Sequence, residues 1–306
     1  MRVLVVGGAG YIGGALTDLL GGDNVIVYDS LVFEEAYRKD IPFILGDIRD
    51  HKKLKPLLDW ADCVVWLAAI VGDGACAIDP QTTKVVNQDC VKWLSENYDG
   101  RIIFMSTCSV YGASDGILDE SSKTNPLSVY ASTKLAAEDY LKDKNALIFR
   151  LGTLHGLGDK FARIRLDLVV NTMTARAVSQ GTLKVFGGAQ YRPLLHVRDV
   201  ATAIAANLLG KQTGIYNLHL ENVKMIELAE TVANHLPVSI EIEETPFEDN
   251  RNYRVTSEKA RKELSFNPRY TAEDSVKELS LLIQDGRIKD LNNPRYSNQG
   301  FMELFK

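Results

Sequence analysis

Short apolar runs alternate with amphipathic stretches along the chain. Six runs read as strands: R-V-L-V-V, N-V-I-V-Y, I-P-F-I-L-G-D-I, A-D-C-V-V-W-L-A-A-I, R-I-I-F-M-S-T and A-L-I-F-R-L. Helical stretches separate them, including one from about 80 to 98 and one from about 128 to 142. The fourth of these runs is apolar on both faces, as in a parallel sheet covered by helices on both sides. The alternation therefore predicts an α/β fold with a doubly wound parallel sheet.

Glycines follow the first strand directly. Gly7, Gly10 and Gly13 form G-x-x-G-x-x-G between that strand and a helical run. This spacing lets the backbone approach a pyrophosphate and places it at a helix N-terminus, where free N–H groups favour an anion. The turn therefore predicts a dinucleotide site.

Asp29 ends the second strand, and it can accept hydrogen bonds from both hydroxyls of an adenosine ribose. No arginine or lysine follows it, because Ser30 is the next residue, so we expect NAD rather than NADP. The alternative is an aspartate that only begins a turn. Asp47, inside the third strand-like run, is suited to an adenine amino group.

Tyr130 and Lys134 lie four residues apart on a predicted helix and therefore share a face. A fixed cation near a phenol favours the phenolate, so we expect Lys134 to bring the pKa of Tyr130 towards the neutral range. If Thr107 holds the same substrate oxygen, the three groups can move a proton as an alcohol and a ketone interconvert. Alone, the spacing Y-x-x-x-K is common.

The composition fits this interpretation. The chain has 306 residues, 45% of them hydrophobic, and a formal net charge of −5, which argues against a nucleic-acid or membrane surface. The longest apolar run, 63–71, is too short to cross a bilayer, and no secretory signal is evident, so we expect a cytoplasmic protein. The four cysteines lack metal-ligand spacing; we expect reduced thiols and no metal.

Five motifs in order, G-G-A-G-Y-I-G, L-A-A, S-T-C-S-V-Y-G, Y-A-S-T-K and Y-R-P-L-L-H-V-R-D-V, resemble the extended short-chain dehydrogenase/reductase family in its nucleotide-sugar epimerase/dehydratase branch. The resemblance implies a Rossmann fold, bound NAD and transient oxidation of a sugar carbon, usually C4. Carried over, it implies that Thr107, Tyr130 and Lys134 are catalytic, with Tyr130 as the base. The cofactor-binding residues predicted in this way and from the strand ends are Gly7, Gly10, Tyr11, Ile12, Gly13, Asp29, Asp47, Ile48, Leu67, Ala68, Ala69, Asn87, Tyr130 and Lys134.

Two positions depart from the dehydratases of this family. Members that remove water resemble T-D-E-V-Y-G, with an acid and a base after the threonine, whereas this chain has Cys108 and Ser109 there. A serine is a poor substitute for a carboxylate, so dehydration becomes the lesser interpretation. Cys108 is either a substrate contact or a small apolar filler, and Asn87 either positions cofactor or packs a helix.

The second half of the chain predicts a substrate lobe. The resemblance places Arg192 against a nucleotide diphosphate, which suits the planar fork of arginine. Basic residues at 163 and 165 open a stretch that continues as an amphipathic helix ended by Gly181. The predicted substrate-binding residues are Thr107, Cys108, Ser109, Thr153, Arg192 and Arg251, with Arg163, Arg165 and Arg254 as weaker candidates. His155 is either a titrating group beside the sugar or structural, and the segment after 294 cannot be placed.

We expect residues 1–152 to form the NAD domain with a returning segment at about 194–218, and 153–193 with 219–306 to form a smaller C-terminal α/β substrate lobe. Two helices commonly pair in this family, so a homodimer is expected, with Val91, Trp93, Leu94, Leu135 and Tyr140 as apolar contacts unless they face the sheet.

The predicted function is a nucleotide-sugar 4-epimerase. The same residues would serve a nucleotide-sugar 4-dehydrogenase or a dehydratase, because the sequence shows the oxidation machinery and not the fate of the ketone. One alternative is a threonine-type dehydrogenase, which also uses Y-x-x-x-K. Another is a non-catalytic NAD-binding regulator, which would be expected to have lost part of the set that Thr107, Tyr130 and Lys134 form.

Overall fold

A computed structural model describes residues 1–159, 161, 163–243 and 252–305. The described strands, in chain order, are β1 (Val3–Val6), β2 (Val25–Asp29), β3 (Phe43–Leu45), β4 (Cys63–Trp66), β5 (Arg101–Thr107), β6 (Ile117–Leu118), β7 (Ala146–Leu151), β8 (Thr153–His155), β9 (Thr182–Phe186), β10 (Tyr191–His196), β11 (Gly214–Leu218), β12 (Glu221–Lys224), β13 (Ser239–Glu243) and β14 (Arg254–Val255).

The described helices are α1 (Tyr11–Leu20), α2 (His51–Trp60), α3 (Asp73–Ile78), α4 (Pro80–Lys84), α5 (Cys90–Asn97), α6 (Val129–Leu141), α7 (Val169–Gln180), α8 (Val197–Asn207), α9 (Met225–Ala233), α10 (Glu258–Leu264), α11 (Ala272–Gln284) and α12 (Asn298–Met302).

Seven of the described strands form one sheet in the order β11-β7-β5-β4-β1-β2-β3, and every neighbouring pair is parallel. The order reverses at β1, where β2 and β3 continue to one side and β4 and β5 to the other. The carboxyl ends of β1 and β4 flank the crevice that this reversal leaves. The predicted Rossmann-type doubly wound sheet is confirmed.

Both faces of the sheet are apolar because helices cover both. In β1, Val3 and Val5 point into one core cluster, whereas Leu4 and Val6 point into the other. The first cluster includes apolar residues of α1 and α8, and the second includes those of α2, α5 and α6. This explains why the strands are continuous apolar runs and not alternating ones.

The smaller lobe is built from shorter sheets. Strand β10 pairs with β8 in parallel and with β12 antiparallel, and β9 pairs with β13 in parallel. Its core is formed by apolar residues of α7, α9 and these strands, for example Val170, Leu183, Leu194 and Leu228. Helix α7 ends at Gly181, which has φ of +68° as the predicted helix stop requires.

Three details refine the expected elements. The predicted helix near 80–98 is interrupted by a π-helical turn, Val85–Asp89, between α4 and α5. The basic residues at 163 and 165 precede α7 in irregular backbone and do not belong to the helix. Two of the residues expected at a dimer contact, Val91 and Leu94, are buried inside this chain against the sheet.

Trp93, another expected dimer residue, stacks on His51 with ring centroids 4.1 Å apart. The homodimer therefore stays a prediction, with fewer apolar residues to support it. No helix in the described parts of the chain is long and apolar enough to cross a membrane.

Candidate active site

A cavity of about 880 Å³ lies along the carboxyl ends of the sheet strands and extends to the smaller lobe. The turn between β1 and α1, the loops after β2 and β4, the end of β5 and the start of α6 contribute its sheet side. Residues of α7, β9 and β10 contribute the other side. One space therefore joins the predicted cofactor and substrate sites.

The glycine turn has the shape that a pyrophosphate site needs. Gly7 has φ of +85°, and a Cβ added there would lie 2.5 Å from the backbone nitrogen of Ala68. A Cβ at Gly13 would lie 2.5 Å from Cα of Gly8. Gly10 is the N-cap of α1, and no side chain caps this helix. The first N–H groups of α1 are therefore available to an anion in the cavity.

Asp29 lies at the end of β2 and lines the cavity. Its carboxylate accepts hydrogen bonds from the backbone N–H of Ala9, at 3.0 Å, and of Leu31, at 2.8 Å. Burial raises the pKa of Asp29, and these backbone donors oppose the shift. The carboxylate is thus fixed in orientation, and its remaining lone pairs are free to accept ribose hydroxyls.

Asp47 and Ile48 line the same end of the cavity. Nε and Nη2 of Arg49 donate to the Asp47 carboxylate at 2.9 and 2.5 Å, and this hydrogen bonding lowers the pKa of Asp47. Arg49, which the sequence did not single out, also lines the cavity. The arginine leaves Asp47 less available to an adenine amino group than expected.

Helix α6 carries Tyr130 and Lys134 on the face that lines the cavity, next to Thr107 at the end of β5. Its N-cap, Ser128, accepts a hydrogen bond from the N–H of Ala131 at 3.1 Å, as this residue type commonly does. The predicted catalytic set is therefore brought together in one place.

Burial raises the pKa of Tyr130 above its ordinary value, and the nearby Cys76 and Asp73 add to the shift. Arg165 and a hydrogen bond with Thr107 oppose it. This direction differs from the expected one, because removal from water disfavours the phenolate more than Arg165 and Thr107 favour it.

Lys134 is almost fully buried, and its ammonium donates to the carbonyl oxygen of Met105 at 2.8 Å. It also lies 4.8 Å from the centroid of the Phe104 ring. Burial lowers the pKa of Lys134 to about 8. The lysine therefore remains mostly charged at neutral pH, and its ammonium group is hydrogen-bonded to the backbone of β5.

Asn87 lies outside the cavity lining, inside the π-helical turn, and is 1% exposed. Its Oδ1 accepts from the N–H of Ile70 and its Nδ2 donates to the carbonyl of Ile70, both at 2.8 Å. The side-chain amide of Asn87 thus satisfies both backbone groups of Ile70 and fixes the loop after β4. Ala68 and Ala69 of this loop line the cavity. Its contact with the site runs through that loop.

Cys108 and Ser109 do not line the cavity. They follow β5 in a 3₁₀ turn, Cys108–Tyr111, which turns their side chains away. The Cys108 thiol donates to the carbonyl of Arg150 at 3.2 Å, and the Ser109 hydroxyl lies 3.4 Å from the hydroxyl of Tyr253. Burial raises the pKa of Cys108, which keeps the thiol protonated.

Of the residues predicted to bind substrate, Thr153, Arg163, Arg165 and Arg192 line the cavity. Arg192 is 7% exposed. Arg165 forms two hydrogen bonds of 2.9 Å with the Asp167 carboxylate.

The remaining candidates lie elsewhere. Arg254 lies outside the cavity lining, and Arg251 falls outside the described residues. His155 is fully buried beside Ser275, at 2.7 Å, and does not line the cavity, which favours the structural alternative.

No pattern in the sequence predicted the C-terminal turn formed by residues 297–302. Ser297, Asn298, Gln299 and Met302 line the cavity, although no periodicity predicted α12. Asp73 also lines it and accepts a hydrogen bond of 2.6 Å from the N-cap Ser128. Asp73 could have been found from the sequence, because it is a carboxylate three residues after the end of a predicted strand. The C-terminal turn has no such feature.

A model of the NAD dependent epimerase/dehydratase family matches residues 3–218. The chain is 29% identical over 314 residues to a UDP-glucose 4-epimerase of Halalkalibacterium halodurans, covering 91% of this chain and 94% of that protein. It is 29% identical over 326 residues to UDP-glucuronic acid decarboxylase 3 of Arabidopsis thaliana, covering 96% of this chain and 91% of that protein.

Among solved structures, the dTDP-glucose 4,6-dehydratase DesIV of Streptomyces venezuelae, crystallised with NAD and TYD bound, has a TM-score of 0.77. It is 25% identical in sequence, and the match covers 94% of this chain and 98% of that one. The three similar proteins carry the names of three different reactions, so similarity alone does not select among them.

Proposed function

This chain belongs to the NAD-dependent epimerase/dehydratase family, and on that premise we propose that it is a nucleotide-sugar epimerase that transiently oxidises C4 of the sugar. NAD is its cofactor, and when bound it supplies the hydride acceptor. The close backbone approach at Gly7 and Gly13 and the uncapped beginning of α1 fit its pyrophosphate, and Asp29 fits its ribose.

The observation that carries the proposal is the shared cavity. Thr107, Tyr130 and Lys134 line the same space as the glycine turn and Asp29. A hydroxyl group bound against Tyr130 is therefore beside the dinucleotide site, where loss of a proton and loss of a hydride from one carbinol can be coupled.

In this mechanism Tyr130 takes the proton of the C4 hydroxyl, and Thr107 holds the same oxygen. Tyr130 can take this proton only as the phenolate. Burial favours the phenol, and the groups that oppose this shift of the pKa are Arg165, through its positive charge, and Thr107, through its hydrogen bond. In the return step the protonated Tyr130 gives its proton back to the ketone oxygen.

Two side chains favour epimerisation over dehydration. A dehydratase needs an acid and a base beside C5 and C6 of the sugar, and this chain has Cys108 and Ser109 at the corresponding positions. Both side chains turn away from the cavity, and Cys108 is held protonated by burial. Re-reduction of the ketone requires neither residue.

A nucleotide-diphosphate sugar is the proposed substrate class. The cavity extends to Arg165 and Arg192 in a chain of net negative charge, and guanidinium groups suit phosphate oxygens. The similar proteins named above act, by their names, on UDP- or dTDP-linked sugars.

The test is a panel of UDP-, GDP-, CDP- and dTDP-sugars incubated with the purified protein, in which NADH absorbance and product mass are followed together. A product of unchanged mass without accumulating NADH is the expected result. Loss of two hydrogens with NADH would show a dehydrogenase, loss of one water a dehydratase and loss of carbon dioxide a decarboxylase. No reaction with any member would contradict the substrate class.

A further inference from the structure

The C-terminal turn forms part of the cavity wall beside the loop after β2. Ser297 caps α12 by accepting from the N–H of Gly300 at 3.1 Å. The ring of Phe301 packs on Phe33, with centroids 5.1 Å apart. Phe33 lies four residues after Asp29, so the turn is located at the adenosine end of the cavity.

Asn298 joins three parts of this wall and is 5% exposed. Its Nδ2 donates to the carbonyl of Val71 in the loop after β4, at 2.7 Å. Its backbone N–H donates to the Asp167 carboxylate at 2.8 Å. Its Oδ1 accepts from Nη1 of Arg163 at 2.5 Å. One side chain therefore connects the cofactor loop to an arginine of the cavity.

Arg163 is held on three sides. Nη1 donates to Asn298, Nε donates to the carbonyl of Arg295 at 2.8 Å, and the guanidinium carbon lies 3.8 Å from the centroid of the Phe33 ring. The side chain lines the cavity and is 7% exposed. Its orientation is thus fixed before any ligand arrives.

The remaining amino group, Nη2, is buried and donates to no atom of the described residues. An unpaired donor on a buried cation is costly, so native proteins rarely keep one without a partner. Burial, together with the neighbouring Arg165, lowers the pKa of Arg163 to about 10, which shows that its charge is poorly compensated. An anionic acceptor in the cavity would remove both costs.

We propose that Nη2 of Arg163 donates to an oxygen of a pyrophosphate group bound in the cavity, and that Asn298 is a positioning residue that aims Arg163 at it. Both NAD and a nucleotide sugar contain a pyrophosphate. Arg163 contacts Phe33, which lies in the loop after Asp29, the residue proposed to bind the ribose of NAD. This position favours the pyrophosphate of NAD over that of the nucleotide sugar. The inference stands whichever sugar reaction the enzyme performs.

The experiment compares NAD retention in the loaded full-length protein among wild type, Arg163→Met, Asn298→Ala and the double variant. We expect Arg163→Met to release NAD about tenfold faster or more, as for a lost charge-assisted hydrogen bond. Asn298→Ala should release it faster by a smaller factor. The double variant should match Arg163→Met, because Asn298 acts through Arg163. Arg176→Met, which removes an exposed arginine of the same cavity, is the control and should match wild type.

Two further measurements identify the group and its source. ADP should displace NAD better than adenosine does in wild type, and Arg163→Met should lose much of this preference if the contact is to phosphate. UDP binding, measured by calorimetry, should be unchanged in Arg163→Met. Weaker UDP binding with unchanged NAD retention would instead support a pyrophosphate contact and assign it to the substrate.

Unchanged NAD retention together with unchanged UDP binding in Arg163→Met would overturn the proposal. Additive losses in the double variant would overturn the positioning role of Asn298. If Arg163→Met fails to fold, as judged by thermal melting, Arg163→Lys replaces it. Lysine keeps a cation near Phe33 but lacks the second amino group, so wild-type retention in this variant would also overturn the contact.

Discussion

Arg150 and Glu138 form a buried ion pair close in the chain and in hydrogen bonding to the proposed catalytic residues. Nη2 and Nε of Arg150 donate to the Glu138 carboxylate at 2.6 and 3.0 Å, and the two side chains are 4% and 3% exposed. Glu138 also accepts from the hydroxyl of Ser106, which precedes Thr107. Glu138 lies in α6, one turn after Lys134, whereas Ser106 lies in β5 and Arg150 in β7. These contacts therefore connect α6 to both strands.

Arg150→Met should destabilise the protein by about 3–5 kcal/mol, because it leaves the Glu138 carboxylate buried without its cation. Arg150→Met combined with Glu138→Gln should recover part of the loss. The measurement is the free energy of unfolding in urea. The control is Arg2→Met, which breaks an exposed pair with Asp62 and should have no measurable effect. Equal stability of Arg150→Met and this control would contradict the prediction.

Tyr130→Phe should lower turnover by about 10²–10⁴-fold, the usual contribution of general acid–base catalysis. The ring volume is kept, so NAD should still bind as in wild type. Turnover is measured with the best nucleotide sugar of the panel, and NAD content after desalting serves as the control. Turnover near the wild-type rate would show that another group moves the proton.

Cys108→Ala should leave turnover within about threefold of wild type, because Cys108 lies outside the cavity lining. Loss of a positioned acid would instead lower turnover by about 10²–10⁴-fold. Thr107→Ala, one residue earlier and inside the cavity, should lose most activity. Steady-state kinetics of the two variants are compared. Loss of activity in Cys108→Ala, with unchanged melting temperature, would return the thiol to the reaction.

Lys134→Met should change how stability depends on pH. Burial lowers the pKa of Lys134 from 10.5 to about 8, so between these values the unfolded chain binds more protons than the native one. Lys134 therefore makes the free energy of unfolding rise with pH across this window. Below about pH 8 the buried charge destabilises the protein to its full extent. From the shift, wild type should gain about 2–3 kcal/mol relative to Lys134→Met across the window. Urea unfolding at both limits tests this, and parallel curves would contradict it.

Arg192→Ala should weaken nucleotide-sugar binding by about 1.5–3 kcal/mol, as expected when a charge-assisted hydrogen bond is lost. Arg254→Ala is the matched control, because Arg254 lies outside the cavity lining and donates to the carbonyl of Asp115. Calorimetry with UDP and with a UDP-sugar measures both variants. Equal affinities for wild type and Arg192→Ala would mean that a different residue holds the diphosphate.

Much of the cofactor side of the cavity could be predicted because it depends on local rules. The glycine turn, Asp29 at a strand end, and Tyr130 with Lys134 one helical turn apart each follow from short-range geometry. Parallel strands then bring their carboxyl ends to one edge, so residues distant in sequence meet there.

The rest depends on contacts that no local pattern encodes. Cys108 follows the last strand residue, and a single 3₁₀ turn decides that its thiol faces the interior. Arg163 lies in irregular backbone before α7, and its side chain is held by Asn298 from a distant part of the chain. The pKa of Tyr130 has the opposite shift to the expected one because the degree of burial is a tertiary property.

Strand β11 has a consequence for how the protein is made. It pairs with β7 at the edge of the sheet, yet β7 ends at residue 151 and β11 begins only at 214. At a translation rate of about 5–20 residues per second, the apolar edge of β7 stays uncovered for about 3–12 seconds on the ribosome. An exposed strand edge invites pairing with other chains. The nascent dinucleotide-binding half therefore passes through an interval in which shielding by a chaperone would favour its yield.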